Sequence, residues 1–102
     1  MNRATLELAG EGQLVVTGTL DFETVPALLA EGGAYLAPGA RLLVDLRGVS
    51  HTNTAGLAML VAWLRWARER GVELRFAHLP EQMQAAARVT GVAEILPVAD
   101  AG

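Results

Sequence analysis

Runs of alternating apolar and polar positions, separated by Gly and Pro, divide the chain into short elements. Ala4 to Leu8 alternates weakly, Gly10-Glu11-Gly12 interrupts it, and Gln13 to Leu20 is again rich in apolar residues, which predicts a hairpin. Leu14, Val16 and Gly18 face one side of its second strand and Val15, Thr17 and Thr19 the other. A glycine inside a strand, here Gly18, marks a bulge or a close backbone approach. Glu23 to Glu31 predicts a helix with Thr24 as N-cap, Pro26 in the first turn and Gly32-Gly33 as its stop. After the Pro38-Gly39 turn, Arg41 to Leu46 is the near-continuous apolar run of a buried central strand, and Arg47 to Asn53 reads as a polar loop.

Thr54 to Arg70 is the strongest helical segment. Asn53 or Thr54 caps it, and Gly71 closes it behind the basic last turn Arg68-Glu69-Arg70. Val72 to Ala77 alternates as a strand. Leu79-Pro80-Glu81 opens a third helix that runs through Val89 and ends at Gly91, and Glu94 to Val98 predicts a last short strand. The order β-β-α-β-α-β-α-β predicts an α/β fold in which about five strands form one mixed sheet, with parallel crossovers and helices packed mainly on one face. One domain is expected across residues 1–102.

Composition narrows the function. Net charge is −3, which argues against a nucleic-acid partner, because binding phosphates needs a basic stripe. All eight basic residues are Arg, so Schiff-base and Walker-A lysines are excluded. Without Cys there is no disulfide framework, thiol nucleophile or cysteine metal site, and His51 and His78 alone do not make a zinc site. The N-terminus lacks the apolar core of a signal peptide, and no run of about 18 apolar residues occurs, so a soluble cytoplasmic domain without membrane insertion is expected.

Catalytic motifs are also missing. There is no GxSxG elbow, phosphate-binding loop or HExxH, and Gly10-x-Gly12 precedes a strand instead of opening a helix. Asp45, at the end of a buried strand, is expected to accept N–H groups from the residues that follow, and His51 to face solvent. No catalytic residue, metal or cofactor is expected.

The informative segment is Asp45-Leu46-Arg47-Gly48-Val49-Ser50-His51-Thr52-Asn53-Thr54-Ala55-Gly56-Leu57. A strand ending in Asp-Leu, then a hydroxyl residue and Gly-Leu at a helix start, resembles the STAS domain. Gly18-x-Leu20-Asp21 resembles that family's Gly-x-Leu/Ile-Asp. Within the family, Asn53-Thr54-Ala55-Gly56-Leu57-Ala58 and Gly91-Val92-Ala93-Glu94-Ile95-Leu96-Pro97 are most similar to the STAS subunits of Mla-type phospholipid-transport ABC complexes. That resemblance implies a non-catalytic accessory subunit that binds the ATPase, and through it the permease, at the cytoplasmic side of the inner membrane. The other reading it implies is an anti-sigma factor antagonist that binds an anti-sigma kinase. In phosphorylated antagonists the acceptor is the Ser directly before this Gly. Here that position is Ala55, Asn53 stands at the acid, and Thr54 is left as a displaced acceptor. Thr54 at a helix N-terminus suits both a cap and a partner contact.

The long helix carries two apolar stripes. Leu57, Leu60, Val61 and Leu64 recur at helical spacing and are expected to face the sheet. Met59, Trp63 and Trp66 fall on roughly the opposite side and are expected, with Asn53, Thr54 and Ala55, to form the partner surface, rimmed by Arg65 and Arg70.

Overall fold

The computed structural model describes residues 2–99. Strands β1 (Ala4–Gly10) and β2 (Gln13–Leu20) form the antiparallel hairpin, and helix α1 spans Val25–Gly33. Strand β3 (Arg41–Thr52), helix α2 (Thr54–Arg70), strand β4 (Glu73–Ala77) and helix α3 (Glu81–Thr90) follow, then a single 3-10 turn at Val92–Glu94. The sheet order is β1-β2-β3-β4, with β2–β3 and β3–β4 parallel.

Period-two alternation puts Leu14 and Val16 of β2, Leu42, Val44 and Leu46 of β3, and Leu74 and Phe76 of β4 into the core beneath the helices. Glu7, Gln13, Arg41, Glu73 and Arg75 stand exposed on the strands, and Arg41 pairs with Glu73 directly across the β3–β4 register at 3.3 Å. A pair this exposed contributes at most about 1 kcal/mol.

Four details differ from the sequence reading. Strand β3 does not end at Leu46. Pairing with β2 continues to Thr52 through register shifts at Val15/Thr17 and Gly18/Thr19, which absorb the break in alternation. Gly18 is the close approach its position suggests, since at φ +96 a Cβ would lie 2.2 Å from the Arg3 carbonyl oxygen. The final strand is reduced to one parallel bridge between Phe76 and Val98, because the chain before it coils into the 3-10 turn, so the sheet among the described residues has four strands.

Gly32 and Gly33 do not stop α1 but form its last turn, where Trp63 and Trp66 of α2 lie against them. Nor does Thr24 cap that helix with its side chain. Thr24 Oγ1 instead donates to the Thr19 carbonyl at 2.7 Å, while Asp21 Oδ1 accepts from the Glu23 and Thr24 amides at 2.9 and 3.0 Å.

Candidate partner-binding site

The N-terminus of α2 is built by local chemistry. Asn53 has extended backbone geometry, and its side chain accepts from the Ala55 amide at 2.8 Å, which makes Asn53 the cap. Thr54 is thereby released from that duty. It is exposed, and among the described residues its hydroxyl has no hydrogen-bond partner. Gly56 lies against the core, where a Cβ would meet Thr52 Oγ1 at 2.2 Å and Leu20 Cβ at 3.2 Å. That contact draws the first turn of α2 onto the ends of β2 and β3 and turns Thr54 outward.

The residues after Thr54 correct part of the expected surface. Ala55 is 5% exposed, Met59 1% and Trp63 2%, so these three belong to the interior and present nothing to a partner. Trp63 fills the space between α2 and α1, and its indole N–H donates to the Leu29 carbonyl at 3.1 Å. Trp66 is half-buried and stacks beneath Arg70, whose guanidinium carbon lies 5.8 Å from the ring centroid. Arg70 also donates to the Gly33 carbonyl at 2.9 Å, so it ties α2 to α1 instead of rimming a free patch.

The reason is geometric. Helix α2 packs against α1 on one flank, α3 on the other and the sheet below. The two apolar stripes are the two flanks of a single wide buried arc centred on Leu60, Trp63 and Ala67.

The solvent side of α2 carries Ala58, Val61, Ala62 and Arg65. Together with Ala86 and Thr90 of α3 these residues line a shallow, mainly apolar groove of about 420 Å³ that opens at Thr54. Sequence reasoning missed this groove, because it set Val61 on the sheet-facing stripe, where the structure does not place it, and because two alanines carry a weak hydrophobic signal. It also missed the Asp21 turn, whose available signal was an acid three residues ahead of Thr24. Backbone N–H from Thr24 is the main influence holding the Asp21 carboxyl below its ordinary range, followed by the Asn2 side chain.

Among the described residues, the titratable groups elsewhere lie apart from one another or in single pairs. Asp45 Oδ1 accepts from the Arg47 amide at 2.9 Å, within β3 and not from a following loop, because the strand continues past it, and Arg47 reaches His78 Nε2 at 2.7 Å. His51 is exposed on β3. Among the described residues no three His, Asp or Glu side chains come together as metal ligands, and no helix is long and apolar enough to cross a membrane.

Comparison with known proteins agrees with this architecture. A chain of the Acinetobacter MlaFEDB complex in an ATP-bound conformation is 32% identical, with a TM-score of 0.80 over 93% of this chain and 99% of that one. The anti-sigma-B factor antagonist of Bacillus subtilis (strain 168) is 24% identical over 86 residues, covering 84% of this chain and 79% of that protein. An anti-sigma factor antagonist from Mycobacterium paratuberculosis shares the fold at a TM-score of 0.73 and 24% identity, over 96% and 85% of the two chains. Residues 4–97 match the family model described as "Mlab, STAS domain", and the chain belongs to that family.

Proposed function

We propose that this single STAS domain is a non-catalytic accessory subunit of an Mla-like phospholipid-transport ABC complex. It binds the ATPase and stabilises or regulates it, and meets the permease only through that subunit. This places it at the cytoplasmic face of the inner membrane, in a system that maintains outer-membrane lipid asymmetry. The observation that carries the reading is the 32% identity and near-complete mutual coverage with a chain of the MlaFEDB complex.

The contact surface is Thr54 with the adjoining groove of Ala58, Val61, Ala62 and Arg65, flanked by the exposed Asn53. Trp66 is half-buried, packed against Gly33 and beneath Arg70, and contributes only what that packing leaves exposed. Since Asn53 supplies the cap, Thr54→Ala removes a surface hydroxyl without removing a helix-stabilising bond. Pull-down of the ATPase subunit of an Mla-type complex from the same organism is expected to fall sharply for Thr54→Ala, with the melting temperature unchanged. Undiminished pull-down would remove Thr54 from the interface.

A signalling antagonist that binds an anti-sigma kinase is the second reading, favoured by the similarity to the Bacillus subtilis antagonist. Against it stands the buried methyl of Ala55 at the acceptor position. Transfer of labelled phosphate to Thr54 by such a kinase would favour this second reading over the first.

A further inference from the structure

The end of the sheet that presents Thr54 also presents a group outside α2. Leu20 and Thr52 are the last paired residues of β2 and β3, and the Asn53 amide donates to the Leu20 carbonyl at 3.1 Å. The chain leaving β2 and the chain leaving β3 therefore emerge side by side. The second continues into Asn53-Thr54, the first into Asp21-Phe22-Glu23.

That tripeptide is held rigidly. Asp21 Oδ1 accepts from the amides of Glu23 and Thr24, and the Asp21 carbonyl accepts from Val25 at 3.0 Å. Thr24 Oγ1 takes the Asp21 amide at 3.0 Å and donates to the Thr19 carbonyl. At the tip of this turn Phe22 is 74% exposed. A ring held in water by a fixed turn adds little to the core of its own chain. Its backbone has little conformational freedom left to lose when another molecule covers the ring. Aromatic side chains of this kind are over-represented among the residues that dominate interface energetics.

The tip of the turn is acidic: Asp21 and Glu23 flank Phe22 in the chain, and Glu23 is exposed. We infer that Phe22 anchors the partner-binding surface, entering an apolar socket rimmed by Arg or Lys on the same subunit that Thr54 contacts. The inference rests on the accessory-subunit reading above and adds a second contact point to it. Anchoring through both loops fixes the angle of docking, which a contact at Thr54 alone does not.

The test uses the full chain and the purified ATPase subunit of an Mla-type complex from the same organism, with binding measured at two salt concentrations. Phe22→Ala is expected to weaken affinity about tenfold or more at an unchanged melting temperature. Glu23→Arg is expected to slow association and reduce its salt dependence. Wild-type affinity in Phe22→Ala overturns this inference and leaves the Thr54 reading standing. A lowered melting temperature in Phe22→Ala also overturns it, since the ring would then be packing within its own chain. Failure of the wild-type chain to bind the ATPase removes both readings together.

Discussion

Replacing Gly32 with alanine tests the packing between α1 and α2 at its tightest point. A Cβ at Gly32 would lie 2.3 Å from Trp63 Cζ2 and 2.6 Å from its Nε1. Ordinary contact begins near 3.4 Å, so the ring must retreat by about 1 Å in an interior with no matching void. Trp63 is 2% exposed and has the sheet and neighbouring helices around it, so it cannot retreat freely. Overpacking of this kind costs about 1–3 kcal/mol. Moving the ring also stretches the indole bond to the Leu29 carbonyl, and a buried donor left without its acceptor costs about 1–3 kcal/mol more. Alanine's better helix propensity offsets about 1 kcal/mol.

The net expectation is destabilisation of about 3 kcal/mol, a fall in melting temperature of about 12–24 °C for a domain of this size. Gly33→Ala is the control. Its Cβ would meet Cζ3 and Cε3 of the half-exposed Trp66 at 2.9 and 3.3 Å, and that ring can swing outward, so the change should stay within about 0.5 kcal/mol. Thermal and urea unfolding followed by far-UV circular dichroism measure both. A Gly32→Ala chain as stable as the wild type, or more so, would refute the seating of Trp63 on α1.

Three further outcomes are expected. With Trp66 replaced by Phe, the remaining emission from Trp63 should be blue-shifted and resist acrylamide, and a quencher-accessible Trp63 would contradict its burial. Asn53→Ala should destabilise the chain by about 1 kcal/mol, seen as a lower urea midpoint, whereas Thr54→Ala should leave the midpoint in place; equal effects would mean the two share the cap. Because Asp21 titrates below its ordinary value of 3.8 in the folded state, its contribution to stability is fully present above that value. The contribution is lost as the pH falls through the lower folded value, so Asp21→Asn should flatten the acid side of the melting-temperature profile, and an unchanged acid limb would count against the turn's dependence on this carboxylate.

What could be read from the chain alone is what neighbouring residues decide among themselves. Helix α2 has the bounds its sequence announces, because Asn53 and Gly71 terminate it by local hydrogen bonding and a left-handed turn. The hairpin, the Gly91 end of α3 and the inward face of β2 are local in the same sense. The α/β class followed from the order of those elements, and the STAS resemblance from the residues Gly18 to Asp21 and Asp45 to Leu57.

Tertiary structure decided how wide a face each element buries. A periodic stripe shows that a helix has an apolar side, but not how many neighbours press on it. Helix α2 has α1, α3 and the sheet around it, so Met59 and Trp63 went inside and the weakly apolar Ala58, Val61 and Ala62 were left to line the groove. Long-range pairing likewise carried β3 past its apolar run to Thr52, since a backbone N–H finds its partner in β2 whatever its own side chain is. Phe22 shows the same division: its apolar character is plain in the sequence, but its exposure comes from the Asp21 turn and from the pairing of Leu20 with Thr52, which join residues distant in the chain.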